Sequence, residues 1–172
     1  GQVEDDASIR FGCDTLRSNL HLLQATRAAN PDAVIVFKTH PDVMAGLRPG
    51  GLDHARLLAE GLADVIAPDA DAAALISACD EVWTMTSLMG FEALLRDRAV
   101  TCLGTPFYAG WGLTRDLAPV PERRRRAPDD HPLPRPSLLQ LAHAALSACP
   151  RYCDPVSGRP CPPEVVLDRI AA

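Results

Sequence analysis

Residues 33–42 read Ala33-Val34-Ile35-Val36-Phe37-Lys38-Thr39-His40-Pro41-Asp42. The five apolar residues predict a buried strand, and the polar residues after them predict the loop into which the strand opens. In an open parallel sheet, ligands bind beyond the carboxyl ends of the strands, near the positively polarised starts of helices. Lys38, His40 and Asp42 place a cation, an imidazole and a carboxylate at such an end, so this loop is a candidate ligand site. The alternative is that Lys38 and Asp42 are only solvated and that His40 caps a turn.

A second strand end carries hydroxyl groups. The apolar run Glu81-Val82-Trp83-Thr84-Met85 is followed by Thr86-Ser87-Leu88-Met89-Gly90-Phe91-Glu92-Ala93-Leu94. Ser87 is a suitable N-cap for a helix, so hydroxyl groups and free N–H groups would face the same crevice as the first motif. Gly90 would permit a close approach by a ligand or another backbone, and Glu92 would accept hydrogen bonds from a sugar diol. An ordinary capped helix with a solvated glutamate is the alternative.

The order of segments predicts an α/β fold. Apolar periodicity and stop signals predict helices at 13–29, 53–60, 71–78 and 87–96, and strands at 33–38, 63–67, 81–85 and 99–103. This alternation is typical of a Rossmann-like, mostly parallel sheet with helices on both faces. Two further helices are expected at 137–148 and 163–171. We expect one domain over residues 1–172.

The segment 104–135 is predicted to be a long loop. Its first part, Gly104 to Thr114, combines glycines with the aromatic residues Phe107, Tyr108 and Trp111, which is typical either of a site-lining loop or of a small satellite core. The run from Arg123 to Arg126 predicts a solvated face. Contact with anionic lipid headgroups or with an acidic sugar remains an alternative for that run.

Composition limits the class of protein. The chain has 172 residues, of which 47% are hydrophobic, and a net charge of −5. The negative charge argues against a protein that binds nucleic acid through its phosphates. No apolar run is long enough to cross a bilayer, and the first residues lack the regions of a secretory signal, so we expect a cytoplasmic protein.

Six cysteines are present without any C-x-x-C pair. Cys13, Cys79 and Cys102 fall in surroundings that suit buried thiols. A metal or disulfide role stays open for the three cysteines of the proline-rich tail, which are Cys149, Cys153 and Cys161.

These motifs together resemble the capsule polysaccharide β-Kdo transferase family of the KpsC/LipA type. The resemblance covers nearly the whole chain and rests on Gly1-Gln2-Val3-Glu4-x-Asp6-Ala7-Ser8-Ile9, Lys38-x-His40-Pro41-Asp42-Val43, Thr86-Ser87-Leu88-x-Gly90-Phe91-Glu92-Ala93, Pro106-Phe107-Tyr108-Ala109-Gly110-Trp111-Gly112-Leu113-Thr114 and Pro150-Arg151-Tyr152-x-Asp154-Pro155. Thr39 departs from the commonest family pattern, which has proline at that position.

The resemblance implies one half of a two-domain GT-B glycosyltransferase. Such an enzyme would use CMP-Kdo as donor without a metal, would retain the β configuration, and would transfer Kdo to a lipid-linked Kdo acceptor at the inner membrane. This chain looks like the donor-binding C-terminal half, and the family's N-terminal acceptor domain would precede Gly1.

The resemblance also implies residue roles. His40 and Pro41 look like the histidine-proline motif shared with bacterial sialyltransferases, whose imidazole contacts the cytidylate phosphate, and Ser87 looks like a second phosphate ligand. The remaining implied donor-binding residues are Lys38, Thr86, Gly90 and Glu92, with Glu92 on the cytidine ribose. Asp6 is the candidate carboxylate that attacks the anomeric carbon. Its alternatives are that Glu4 or Asp5 does so, or that the acidic start only caps a helix beginning near Asp14.

Two other functions stay open at this point. One alternative is a truncated CMP-binding module without catalysis. The other alternative is a structural subunit of a capsule export or assembly complex.

Overall fold

The chain forms two compact units. The computed structural model describes residues 1–126 and 131–171, so positions 127–130 of the predicted loop lie outside the described residues. The first unit is Gly1–Leu133 and the second is Pro134–Ala172. The second unit carries the two C-terminal helices that the sequence predicts, and a single domain over the whole chain stays a prediction.

The first unit alternates helices with short parallel strands. Its helices are α1 (Ala7–Gly12), α2 (Asn19–Ala29), α3 (Pro41–Met44), α4 (His54–Ala59), α5 (Ala72–Ala78) and α6 (Leu88–Leu94). Its strands are β1 (Val36–Phe37), β2 (Val65–Ile66), β3 (Glu81–Thr84), β4 (Ala99–Cys102) and β5 (Arg115–Asp116). A 3₁₀ turn follows at Glu122–Arg124. The α/β class predicted from the sequence is therefore confirmed.

The strands pair in two separate parallel ladders, whereas the sequence predicts one sheet. β1 pairs with β2 in the register Val36↔Val65. β3, β4 and β5 form the other ladder, with Glu81↔Ala99 at one end of the β3–β4 pair. Helix α6 connects β3 to β4, as a parallel crossover requires.

Helix α2 packs against both ladders. Leu22 enters a cluster with Met85 and Leu103 at the β3–β4 side, and the next residue, Leu23, enters a cluster with Phe37 at the β1 side. Adjacent residues on a helix point about 100° apart, so one helix can cover two apolar groups. Helix α2 thus contributes to the apolar cluster of each ladder, although the two ladders are not hydrogen-bonded to each other.

The predicted helix at 13–29 is wrong in its first part. Ser18 caps α2 by accepting a hydrogen bond from the His21 N–H group, and the Glu4 carboxylate accepts one from the Asn19 N–H group at 2.6 Å. These acceptors satisfy the free donors of a helix start at residue 19. Leu16 still packs against the core, although it does so from the turn that precedes the helix.

The predicted buried strand at 33–38 is shorter than expected. Only Val36 and Phe37 pair with β2, and Val34 is 75% exposed. The Asp64 carboxylate accepts a hydrogen bond from the Ile35 N–H group at 2.8 Å. A side chain thus takes the place of a backbone acceptor for Ile35, and the ladder begins only at Val36.

The second unit contains a helix, a hairpin and a terminal helix. Its elements are α7 (Leu138–His143), a π-helical turn (Ala144–Ala148), β6 (Tyr152–Cys153), β7 (Pro160–Cys161) and α8 (Pro163–Ala171). The hairpin was not predicted. Its loop is organised by Asp154, which accepts hydrogen bonds from the N–H groups of Val156 and Ser157 and is paired with Arg169 on α8.

The six cysteines are free thiols. Cys13 and Cys102 are buried, whereas Cys149 and Cys153 are exposed. Among the described residues no group of histidine, cysteine or acidic side chains is placed to hold a metal ion. In the same residues, no helix combines the length and the apolar character that crossing a membrane demands.

Candidate functional site

An open cleft of about 440 Å³ lies in the first unit, at the carboxyl ends of the strands. It is lined by Gln2, Val3, Asp6, Ser8, His40, Asp42, Arg48, Thr86, Ser87, Leu88, Phe107 and Tyr108. Four segments that are far apart in sequence therefore meet there. A smaller cavity of about 320 Å³, near the 3₁₀ turn, is not lined by any of the predicted site residues.

Four of the eight predicted site residues line this cleft, namely Asp6, His40, Thr86 and Ser87. The other four, Lys38, Pro41, Gly90 and Glu92, are outside the lining. The imidazole and the hydroxyl-capped helix thus converge on one space from two different strand ends, as their positions in the sequence predict.

His40 is held by the helix that it starts. It is the N-cap of α3, with Pro41 in the first turn, and its Nδ1 accepts a hydrogen bond from the Asp42 N–H group at 3.1 Å. Because Nδ1 acts as an acceptor, the neutral ring carries its proton on Nε2. His40 therefore caps a turn, as the alternative interpretation held, and at the same time has an Nε2–H donor for the cleft.

Ser87 and Thr86 use their hydroxyl groups differently. Ser87 Oγ accepts a hydrogen bond from the Met89 N–H group at 3.2 Å, and within the described chain its own hydrogen has no acceptor. The buried Thr86 hydroxyl donates to Ser8 Oγ at 3.1 Å and accepts from the amide of Gln2. Ser87 is thus the hydroxyl that is available to a ligand, while Thr86 serves the protein.

Asp6 is a helix cap whose carboxylate faces the cleft. It caps α1, and its Oδ1 accepts a hydrogen bond from the Ser8 N–H group at 2.8 Å. Hydrogen bonding by Ser8 lowers the pKa of Asp6, and the charges of Arg48 and His40 lower it further. Asp6 is therefore ionised at neutral pH, as a nucleophilic carboxylate must be. The acidic start does cap a helix, but that helix begins at Ala7 and not near Asp14.

Gln2 was not predicted as a site residue, yet it joins the N-terminal segment to the end of β3. Its Oε1 accepts a hydrogen bond from the Thr86 N–H group at 2.9 Å, and its backbone N–H group donates to Asn19 Oδ1 at 2.7 Å. Asn19 in turn donates to the carbonyl groups of Gln2 and Gly50. This buried amide network fixes the segment that carries Asp6. The sequence holds only a weak signal for it, because buried amides have no periodic pattern.

Arg48 is the second residue that the sequence reasoning missed, since it lies in a turn that contains Pro49, Gly50 and Gly51. The structure places its guanidinium group in the cleft lining, where Nη2 donates to Asp5 Oδ1 at 2.6 Å. Arg48, and not the predicted Lys38, is therefore the basic residue in the cleft lining.

The predicted residues outside the lining have other contacts. Lys38 Nζ donates to the Pro68 carbonyl at 2.9 Å. Gly90 is buried against a side chain, because a Cβ atom there would lie 2.7 Å from Tyr108 Cζ. The close approach that Gly90 permits is thus that of Tyr108.

Thr39, the residue that departs from the family pattern, is buried with its hydroxyl 3.1 Å from His54 Nε2.

The aromatic loop after β4 has both of the predicted roles. Phe107 and Tyr108 line the cleft, and both rings contact Phe91 of α6. Tyr108 donates its hydroxyl hydrogen to the Ser87 carbonyl at 2.5 Å. The loop is therefore a satellite core and also one wall of the site.

Arg124 corrects the prediction of a solvated face at 123–126. Its Nη1 donates to the carbonyl groups of Pro106 at 2.6 Å and Ala109 at 2.8 Å, and its Nη2 donates to that of Thr105. Burial lowers the pKa of the guanidinium group, whose charge is compensated by these carbonyl oxygens. Arg123 and Arg125 are exposed.

Comparisons with known proteins identify the family of the chain. Residues 1–152 match the family model described as "Capsule polysaccharide biosynthesis protein". The capsule polysaccharide modification protein LipA of Neisseria meningitidis serogroup A is 48% identical over 158 residues, covering 90% of this chain and 20% of LipA. The lipopolysaccharide-processing protein LpsZ of Rhizobium meliloti is 42% identical over 153 residues, covering 89% of this chain and 32% of LpsZ.

Solved structures from Thermosulfurimonas dismutans show the same fold. The KpsC β-Kdo 2,7 transferase superposes with a TM-score of 0.81 at 38% identity, covering 99% of this chain and 52% of that one. The KpsC β-Kdo 2,4 transferase superposes with a TM-score of 0.80 at 32% identity, covering 99% of this chain and 50% of that one. The chain spans between 20% and 52% of the length of each of these relatives. The matches over nearly all of its own length show that this chain is a member of the capsule polysaccharide biosynthesis protein family, of the KpsC/LipA type.

Proposed function

We propose that this chain is the donor-binding half of a retaining β-Kdo transferase of capsular polysaccharide biosynthesis, and that its donor is CMP-Kdo. One observation carries the proposal: Asp6, His40 and Ser87, from three separate segments, line one cleft at the carboxyl ends of parallel strands. A carboxylate, an imidazole donor and a hydroxyl donor are the groups that displacement of a nucleotide from a sugar requires. The likeness to two Kdo transferases supports the choice of sugar.

His40 and Ser87 would bind the cytidylate phosphate. The Nε2–H of His40 and the hydroxyl hydrogen of Ser87 are donors aimed at the cleft, with His40 oriented by the Asp42 N–H group. Preorganised donors stabilise the charge that develops on the leaving phosphate. In this proposal the protein supplies that stabilisation without a metal.

Asp6 would be the nucleophile. Its carboxylate attacks the anomeric carbon, the bond from that carbon to the phosphate oxygen breaks, and CMP leaves with the electron pair. An acceptor hydroxyl then attacks the same carbon, the bond from that carbon to the Asp6 oxygen breaks, and the hydroxyl proton passes to the solvent. Two inversions retain the β configuration. Ionisation of Asp6, which Ser8 favours, is a prerequisite for the first step.

The roles of the remaining predicted residues are part of the proposal. Glu92, on α6 beyond the cleft lining, would hold the cytidine ribose where the nucleoside extends along that helix. Thr86 and Gly90 would act by shaping the end of β3 and α6, and Lys38 and Pro41 by shaping the loop that presents His40.

The partners are proposed from the relatives. The acceptor would be a lipid-linked Kdo. It would be bound by a separate acceptor domain, for which the longer KpsC chains have room. Work on a lipid-linked acceptor implies a cytoplasmic protein at the periphery of the inner membrane.

Calorimetry with CMP and AMP tests the nucleotide site directly. We expect CMP to bind this chain at least tenfold more tightly than AMP, and His40→Ala to weaken CMP binding about tenfold or more, as loss of a hydrogen bond to a charged group does. The matched control is His21→Ala, since His21 is exposed on α2 and is not among the residues that line the cleft. CMP that binds no better than AMP would instead favour a structural subunit of capsule export or assembly.

Catalysis is tested with Kdo transfer in the longer protein that combines both halves. Turnover of CMP-Kdo that is lost in Asp6→Ala supports the transferase. Binding of CMP without transfer under any reconstitution would identify a non-catalytic nucleotide-binding module.

A further inference from the structure

Arg48 is the only arginine or lysine among the residues that line the cleft in the described part of the chain. Its Nε and Nη2 both donate to one oxygen, Oδ1 of Asp5, at 3.2 and 2.6 Å. Within the same described residues its Nη1 has no acceptor. The Arg48 side chain is 41% exposed, and its Nη1 donors are left for a ligand in the cleft.

The position of Arg48 relative to Asp6 limits what it can bind. Its partner Asp5 is the chain neighbour of Asp6, and the positive charge of Arg48 acts on the Asp6 carboxylate. A nucleophile and a leaving group lie on opposite faces of the carbon that is attacked. With Asp6 as the nucleophile and His40 and Ser87 on the phosphate, as proposed above, the hydrogen bonds of Arg48 to the adjacent Asp5 assign Arg48 to the nucleophile's side of the anomeric carbon.

The chemistry of the sugar supplies an anion at that place. In a 2-ulosonic acid such as Kdo, the carboxylate is bonded directly to the anomeric carbon, so it must lie beside the attacking group. An arginine fork matches a carboxylate in geometry and charge. A carboxylate next to the negatively charged Asp6 would be repelled without a cation.

We propose that Arg48 binds the carboxylate of the donor sugar and thereby selects a 2-ulosonic acid over a neutral sugar. This inference rests on the proposed CMP-Kdo transferase function and adds a specificity determinant to it. Asp5 orients the guanidinium group through the two hydrogen bonds to its Oδ1.

The test compares two probes, CMP and CMP-Kdo, by calorimetry on the 172-residue chain. For Arg48→Gln we expect CMP-Kdo binding to weaken about tenfold to a hundredfold, as for a lost charge-assisted hydrogen bond, with CMP binding changed less than about twofold. Unchanged CMP binding also shows that the variant is folded. Arg48→Lys keeps the charge without the planar fork and should fall between the wild type and Arg48→Gln.

The matched control is Arg56→Gln. Arg56 also pairs with a carboxylate, that of Glu60, at 2.6 Å. It lies on α4 and is not among the residues that line the cleft. It should leave both affinities unchanged. Equal weakening of CMP and CMP-Kdo in Arg48→Gln would assign Arg48 to the phosphate and overturn the inference, as would no weakening of either. Failure of the wild type to bind CMP would instead refute the proposed function on which the inference rests.

Discussion

Gln2 and Thr86 are joined by two hydrogen bonds across 84 positions of the chain: Gln2 Nε2 donates to Thr86 Oγ1 at 3.0 Å, and the Thr86 N–H group donates to Gln2 Oε1 at 2.9 Å. Both residues are buried. This pair attaches the segment that carries Asp6 to the strand end that carries Ser87, so the geometry of the cleft depends on it.

Replacing Gln2 with leucine should destabilise the chain by about 1–3 kcal/mol, because the buried Thr86 N–H group would lose its acceptor. Urea unfolding followed by circular dichroism measures this loss. The control is Gln24→Leu, since Gln24 is exposed on α2. Equal midpoints for the two variants would show that the amide network adds nothing to stability.

Gly90→Ala should cost about 1–3 kcal/mol, because the new methyl group would press against the Tyr108 ring in a packed core. Gly51→Ala is the control, since its Cβ would meet only Val43 Cγ1, at 3.9 Å. In a double-mutant cycle with Tyr108→Phe, we expect the combined cost to be smaller than the sum of the single costs. Additive costs would contradict direct contact between the two positions.

Arg124→Met should loosen the aromatic loop, because the carbonyl groups of Thr105, Pro106 and Ala109 would lose a charged donor. We expect a loss of about 1–3 kcal/mol in the free energy of unfolding and faster hydrogen exchange in residues 105–111. Arg123→Met, at an exposed neighbour, is the control. Unchanged hydrogen exchange in residues 105–111 would show that Arg124 does not stabilise the loop.

Thiol labelling should separate the cysteines by burial. Burial raises the pKa of Cys13 to about 11 and that of Cys102 to about 12. Since the thiolate is the reactive form, iodoacetamide at about pH 8 should modify the exposed Cys149 and Cys153 and spare the two buried thiols until the protein unfolds. Peptide mapping by mass spectrometry reads the result, and rapid native labelling of Cys13 would contradict the packing around α1.

Asp154 should make the second unit sensitive to acid. Hydrogen bonding by Ser157 and Val156 lowers its pKa from 3.8 to about 2. A depressed carboxyl pKa stabilises the folded state above the unfolded-state pKa, and this contribution is lost as the pH falls toward 2. Asp154→Asn should thus be less stable than the wild type near neutral pH, with the difference shrinking between about pH 4 and pH 2. The control is Asp168→Asn, since Asp168 is exposed on α8. If the stability difference between the wild type and Asp154→Asn stayed constant from about pH 4 to pH 2, Asp154 would not be the source of the acid sensitivity.

Much of the fold follows from local sequence. The helices α4, α5, α6 and α8 lie where their patterns predict, with Asp53, Asp71 and Ser87 as caps of the first three. Caps and apolar periodicity depend on residues within a few positions of each other, so they can be recognised without a three-dimensional structure. The division of residues 7–29 into α1 and α2 was missed, although Asp6 and Ser18 are local caps of the two helices. The hydrogen bond from Asn19 to the distant Glu4 carboxylate and the packing of Leu16 from a turn depend on tertiary structure.

The sequence by itself determined the alternation of helices with parallel strands, and with it the placement of His40 and Ser87 at two strand ends. Only the tertiary structure decided that Gln2 holds Thr86, that Arg48 reaches the cleft beside Asp5, and that Gly90 accommodates Tyr108. The physical reason is the separation along the chain between the residues that interact. Backbone conformation is set mainly by neighbouring residues, whereas partners for buried amides, guanidinium groups and rings are chosen by the path of the whole chain through space.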